Sequence, residues 1–516
     1  MNKFKSLFEK KEYNNFILIF ITGIIVNLGQ FIYQGGEGDT NVYTIYQPNY
    51  DWECMLGRWM IQYVGRLRNH VVSPILIEIC AIAIFSATLI LIFNLLNINK
   101  KAFIFIGACL FFSQPFVSFL LHIYYCADAY ALSALFAVMA AWILLKLNSI
   151  YKYVFSVICM VISLSLYQSC IVLTGILVLV DLLKEYLNTD NNFKSCLKKN
   201  VCFFFVGIAG IIFYILTVNI YLNMHGLALA DYKGMDTMGQ INIPRSIYNL
   251  KSLLKTMYLD STNDIIGYSR WINGKLGIVI NIFIILIGFL WLLKTVIHNR
   301  RQMNTPRLAI IAACTIILPG MWGVIVFMAP QASIHPLLTP HQTLLYLYAL
   351  SAFESTGHIE HVICQLGRWI GITSILYITF NYYLVGSEYQ YGLKLADNKA
   401  YSMALEINDS LRRMPCQEGS TKIAIIGKTD FHNLIPTYYQ LKGSNETLFW
   451  DGYSSQLCWQ KYLLERTGIY YTICDQDTYN SLINSEQVKE MAAFPKENSV
   501  RLIDDTIVVK LGEEGQ

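Results

Sequence analysis

Residues 152–183 read KYVFSVICMVISLSLYQSCIVLTGILVLVDLL, an almost continuously apolar run with Leu166-Tyr167-Gln168-Ser169 near its middle. As one helix, rising 1.5 Å per residue, it would be roughly 48 Å long, against a hydrocarbon core of about 30 Å. A single crossing would also place the following lysine-rich stretch on the opposite side from every other basic loop. The run therefore reads as two short helices hinged at Tyr167-Gln168, and the direction of everything after it depends on that hinge. Polar groups and broken helices at membrane depth are tolerated where protein or a water-filled cavity satisfies them; an ordinary tight turn at the membrane surface is the plainer alternative.

Outward from this run the same composition repeats. The chain is 55% hydrophobic and 14% charged, against about 25% charged in an average soluble domain. Apolar spans are expected near 14–33, 73–96, 102–121, 128–146, 152–167, 169–183, 201–222, 276–296, 307–329, 342–354 and 368–386, about eleven in all. The first lacks a small-x-small cleavage site and is long enough to span, so it does not read as a cleavable signal. Lys3, Lys5, Lys10 and Lys11 set the N-terminus inside, and every second loop is then basic: Lys100 and Lys101; Lys146 and Lys152; Lys184, Lys194, Lys198 and Lys199; Lys294, Arg300, Arg301 and Arg307. The short alternate loops, 122–127 and 330–341, carry no Lys or Arg. The longer outer loops are 34–72 and 223–275. The net charge of +4 is arranged by position and gives no reason to expect nucleic acid.

From about residue 387 hydrophobicity falls and charge rises. TKIAIIGKTD reads as a buried strand ending in a turn, QLCWQKYLLERTG as a helix stopped by glycine, IYYTIC as a strand, and VRLIDDTIVVKL as a hairpin turning at Asp504-Asp505. The expected fold is thus an α-helical polytopic membrane protein, residues 1–386, with a small C-terminal α/β soluble domain, residues 387–516, on the outer side. Most of the thirteen cysteines lie in apolar runs as small hydrophobes. A disulfide among Cys416, Cys458 and Cys474 is open.

Charge is scarce, so its clusters carry information. The first outer loop holds Glu37, Asp39, Asp51 and Glu53, then Arg58, Arg66 and Arg68, with Trp52, Trp59 and tyrosines 43, 46 and 50 between them. Aromatic faces stack on sugars, guanidinium groups fork onto phosphate, and a carboxylate can serve as general base. Interfacial anchoring and solvation account for the same residue types. Asp128, in LLHIYYCADAYALS, is either a helix cap or an ionisable group at the membrane edge. Tyr167 and Gln168 fall near the same level, and Arg270 with Trp271 precedes a later span. His335 and His341, on a proline-rich loop, are weak metal candidates. There is no GxxxxGK[ST] phosphate loop, GxGxxG, HExxH or GxSxG. The inner loops leave no room for a nucleotide-sugar domain, so an activated sugar would have to reach the outer face on a lipid.

GDTNVY, YDWECMLGRW and RLRNHVVSPIL together resemble the first loop of the GtrII-type bacterial membrane glucosyltransferases, with Asp39, Trp52, Gly57-Arg58-Trp59 and Pro74 in the family's places. PFVSFLLHIYYCADAYALSALFAV resembles that family's second outer loop, with Asp128 at its Asp; SLSLYQS resembles its Tyr-Gln segment, and FPKENSVRLIDDTIVVKL its C-terminal end. Several members carry a His or a second Asp beside the first-loop Asp, whereas Gly38 and Thr40 stand here.

The resemblance implies a GT-C-like fold and transfer of glucose or a similar hexose from undecaprenyl phosphate to an acceptor glycan on a surface polysaccharide such as an O-antigen, in the bacterial inner membrane. On that reading Arg58, helped by Arg66 or Arg68, holds the donor phosphate. Asp39, or else Glu37 or Glu53, is the base. Asp128 positions hydroxyls or helps hold a divalent cation if one is used. Glu37, Trp52, Trp59, Tyr167, Gln168 and Arg270 line the substrate site. The implied partners are a polyprenyl-phosphate-linked sugar, an acceptor glycan and the lipid bilayer. The rival readings are a transporter or flippase of lipid-linked sugars, and a polysaccharide polymerase or ligase.

Overall fold

A computed structural model describes residues 10–33, 49–188, 192–232, 234–240, 243–245, 247–248, 251, 274–299, 303–320, 341–355, 362–414, 422–427, 449 and 452–512. Glu37, Asp39, Arg270, Trp271, His335 and Cys416 lie outside the described residues.

Residues 321–329, the end of the span near 307–329, lie outside the described residues; within the described residues the expected spans fall on helices. They are α1 (Lys10–Val26), α2 (Leu28–Tyr33), α3 (Asp51–Met55), α4 (Ile61–Leu67), α5 (Pro74–Leu96), α6 (Lys101–Ser113), α7 (Pro115–His122), α8 (Ala127–Lys146), α9 (Tyr151–Leu166), α10 (Ile171–Leu187), α11 (Phe193–His225), α12 (Gly274–His298), α13 (Thr305–Gly320), α14 (His341–Ser355) and α15 (Val362–Arg412). Three of them, α5, α8 and α11, are long and apolar enough on their own to cross a membrane. The expected span 102–121 is not one helix. It breaks at Gln114, which is extended because the residue before Pro115 is pushed out of the helical region. The Tyr167 hinge is present as expected: α9 ends at Leu166, Tyr167 is extended, and a single 3-10 turn, Gln168–Cys170, leads into α10.

The centre of the bundle is α8, packed against α5, α9 and α10. Its run of alanines lets the neighbouring backbones come close, and hydroxyls bridge them. Ser133 Oγ donates to the Ser163 carbonyl at 2.8 Å and the Tyr167 carbonyl at 3.0 Å. Ser156 Oγ donates to the Ala140 carbonyl at 3.0 Å, and Thr174 Oγ1 to the Ala137 carbonyl at 2.7 Å.

The basic loops gather at one end of this bundle. There the Glu354 carboxylate accepts from the backbone N–H groups of Asn99 and Lys100 at 3.1 and 3.0 Å. Lys184 lies over Tyr348, Lys152 over Phe203 and Arg368 over Phe103. Arg307 donates to the Asn188 carbonyl at 3.4 Å. The opposite end collects α3, α4, the start of α8 and the Tyr167 hinge.

Helix α15 runs without a break from Arg368 at the basic end, past Ser118 beside Gly386, to Asp397 near Tyr124 at the other. Its 51 residues make it about 76 Å long. Its last turns belong to the C-terminal unit, which adds β1 (Lys422–Ile426), α16 (Tyr453–Thr467), β2 (Thr472–Ile473), α17 (Gln476–Asn484), α18 (Glu486–Lys489), β3 (Val500–Ile503) and β4 (Thr506–Lys510). The sheet order is β2-β1-β4-β3, with β1 parallel to both its neighbours and β3–β4 an antiparallel hairpin. Strand alternation gives two buried faces. Ile423, Ile425, Ile507 and Val509 meet Ala400, Met403 and Ile407 of α15 and Trp459 of α16. Ala424, Ile426 and Val508 meet Tyr479, Leu482 and Val488. The expected helix, its glycine stop at Gly468 (φ 73°) and the turn at Asp504-Asp505 are all present. IYYTIC supplies only the two-residue β2, and Cys458 and Cys474 are both free thiols.

Candidate active site

The sequence from Tyr50 to Arg68 alternates short helices with a glycine turn, so that Arg58 and Arg68 point back into the bundle. Gly57 makes the turn after α3 with φ 82°. Its backbone is gripped from both sides: Gln168 Nε2 donates to the Leu56 carbonyl at 2.7 Å, and the Tyr214 hydroxyl to the Gly57 carbonyl at 3.2 Å. Gln168 also donates to the Tyr214 hydroxyl at 2.9 Å, and its Oε1 accepts from Arg58 Nε at 3.3 Å. Every polar atom of that amide is thus used, and the hinge between α9 and α10 becomes the seat of Arg58.

Arg58 has a notable partner set. Its Nη1 donates to the Tyr130 hydroxyl at 3.1 Å, and the guanidinium carbon lies 5.0 Å from the Tyr167 ring centroid. All these groups are neutral, and Arg58 makes no ion pair among the described residues. A cation taken from water into neutral surroundings is costly unless an anion joins it. Arg68 is different. It pairs with Asp128, Nε to Oδ2 at 3.2 Å, and its Nη2 donates to the Tyr125 carbonyl at 2.8 Å. Asp128 is not the cap of α8. Cys126 holds that position, and Asp128 Oδ1 accepts from the N–H of Ala129 at 2.9 Å.

Glu53 is buried, and its carbonyl accepts the Arg58 backbone N–H at 2.8 Å. Between these charges lies Cys126. Burial pushes its thiol well above the ordinary range, Glu53 and Asp128 push the same way, and Arg58 opposes them. Burial likewise raises the Tyr50 hydroxyl to about 12 and the Cys54 thiol to about 11, so both stay protonated at neutral pH.

Of the expected residues, Glu53, Arg58, Arg68, Asp128, Tyr167 and Gln168 come together. Trp59 stacks on Tyr221 at 5.7 Å, beside the same cluster. Trp52 is 41% exposed, edge-on to Tyr232. Arg66 is exposed and donates to Gln62 Oε1 at 3.3 Å, one turn away from the buried pair. Sequence reasoning missed Tyr130, Tyr214 and Tyr221 among 34 tyrosines. A usable signal existed, since residues 214, 221 and 225 share one face of α11 at helical spacing. Tyr221 on that face receives hydrogen bonds from Gln62 and, at 3.7 Å, Cys54. Among the described residues, no three His, Cys, Asp or Glu side chains stand close enough together to hold a metal ion.

Neither a curated protein nor a solved structure matches the chain significantly. The profile described as "Glucosyl transferase GtrII" matches residues 40–355, which contain every described residue of this cluster. The match takes in more than half of the sequence, and the chain belongs to the GtrII glucosyl transferase family.

Proposed function

We propose that this protein is an inverting glycosyltransferase that moves glucose or a similar hexose from a polyprenyl phosphate, such as undecaprenyl phosphate, to a surface polysaccharide. The observation that carries this reading is Arg58, a guanidinium held among neutral partners by Gln168 and Tyr130. A phosphate would supply the missing negative charge, and charge-assisted, forked hydrogen bonds would hold it as the leaving group. Arg66, exposed and free of a carboxylate partner among the described residues, is the helper on that phosphate. Asp39, or else Glu37 or Glu53, takes the proton of the attacking acceptor hydroxyl. Trp52, Trp59 and Arg270 contribute to binding the substrates.

On this reading the helices make about eleven crossings. The basic end faces the cytoplasm and the cluster faces outward, with the C-terminal domain from about residue 387 on the same outer side. The separation of lysine-bearing loops from the arginine–carboxylate cluster supports that orientation in the bacterial inner membrane.

Purified protein in detergent, given polyprenyl-phosphate glucose and acceptor glycan, should transfer the sugar without a sealed membrane. Arg58→Gln should lower kcat/KM about 10- to 100-fold, the worth of a charged hydrogen bond. Asp39→Asn should lower it about 10²–10⁴-fold with insertion intact. Movement of lipid-linked sugar in sealed vesicles with no transfer in detergent would overturn the reading in favour of a transporter.

A further inference from the structure

A second set of buried polar atoms stands beside Arg58 and is chemically unlike it. Tyr50 is 3% exposed, and its hydroxyl makes no hydrogen bond among the described residues. Its ring packs against Gly65, where a Cβ would come within 2.4–2.6 Å of the ring and hydroxyl. Arg68 follows Gly65 by three residues and so lies on the same side of that turn. Arg68 Nη1 is also buried without a hydrogen-bond acceptor among the described residues. Arg68, Glu53 and Asp128 all act electrostatically on the Tyr50 hydroxyl.

Two buried donors left open at one place call for an acceptor. The charge decides which kind. Arg68 is already paired with Asp128, and the Glu53 carboxylate acts on the same spot, so there is no spare positive charge there for a phosphate. A neutral, hydroxyl-rich ligand fits instead: its oxygens can accept from Tyr50 and Arg68 Nη1, and its O–H groups can donate to the carboxylates.

We propose that Tyr50, Arg68 and Asp128 form the subsite that binds ring hydroxyls of the transferred hexose, leaving the donor phosphate to Arg58; this rests on the glycosyl-transfer reading above. Charge thus separates the two arginines: the unpaired one takes the anion, the paired one reads the sugar. Tyr50 becomes a specificity-determining residue for the donor.

The test uses polyprenyl-phosphate glucose and its 2-, 3-, 4- and 6-deoxy analogues as donors, with the full-length protein in detergent. The wild-type chain should discriminate against at least one deoxy donor by about 10-fold, the worth of one hydrogen bond. Tyr50→Phe keeps the ring against Gly65 and should lose about that factor on the parent donor while handling that deoxy analogue as the wild type does. Arg68→Lys, which keeps the charge beside Asp128 but removes Nη1, should erase discrimination in the same way. Wild-type transfer with unchanged discrimination in both variants overturns the subsite alone. No transfer by the wild type from any of these donors overturns the glycosyl-transfer reading, and the subsite with it.

Discussion

Gly57 joins the chemistry of single residues to the shape of the site. A Cβ there would lie 2.6 Å from the Tyr214 hydroxyl, 2.8 Å from Met238 Cε and 3.1 Å from Gln168 Nε2, on a backbone with φ 82°. The left-handed conformation alone costs a non-glycine residue about 1–2 kcal/mol. The intruding methyl would also push apart the two groups that hold the Arg58 turn. Gly57→Ala should therefore lower the thermal midpoint in detergent by a few degrees and reduce transfer; an unchanged midpoint and rate would show that the grip on this turn is dispensable. The Gly-Arg-aromatic step was legible in the sequence as a phosphate candidate. The reason for its glycine was not, because Tyr214 and Gln168 are more than a hundred residues away along the chain.

At the scale of elements, helix ends and breaks decide most of the outcome. The Tyr167 hinge was readable because a 32-residue apolar run is too long for one ordinary crossing. The break at Gln114 was passed over, although Ser-Gln-Pro is a recognisable helix stop and restart. In the C-terminal unit, Asp475 caps α17. It accepts from the Thr478 N–H at 2.9 Å and hydroxyl at 2.7 Å, and pairs with Lys422 at 3.2 Å. These bonds, the Thr478 N–H foremost, hold its carboxyl far below the usual range. A depressed carboxylate contributes stability that is present above its unfolded value, about 3.9, and is lost as the pH falls further through the folded one. The midpoint of the full-length protein, followed by C-terminal-domain proteolysis, should fall as the pH drops from about 5 to about 2. Asp475→Asn should flatten that part of the profile, and an equally steep fall in the variant would remove Asp475 as its cause.

The whole molecule is organised along one axis, with basic loops at one end and the arginine–carboxylate cluster at the other. Helix α15 carries the chain along this axis. Asp397 on it accepts from the Tyr462 hydroxyl at 2.8 Å and pairs with Arg466 at 2.7 Å, fastening the C-terminal unit to the helix. Asp397 also lies close enough to Tyr124 to act on its hydroxyl, which burial raises well above its ordinary value. With the proposed orientation, a periplasm-active reporter fused after residue 412 should be active and one fused at residue 192 silent. The reverse pattern would turn the molecule over and place the cluster in the cytoplasm.

What the sequence by itself determined was local and compositional. Apolar length marked the helices and the hinge at Tyr167 and Gln168, lysine placement marked their ends, strand alternation marked the sheet, and scarcity of charge singled out Glu53, Arg58, Arg68 and Asp128. Those signals are carried by neighbouring residues and by the cost of moving charge out of water. What only the tertiary structure decided was pairing. Among the described residues Arg68 meets Asp128, Arg58 meets only neutral groups, and the Tyr50 hydroxyl, without a hydrogen bond, lies beside the paired arginine. In the sequence all three arginines of the loop are equivalent, because a charge's partner in a helical bundle is set by how distant helices pack. That pairing is what divides an anion site from a sugar site.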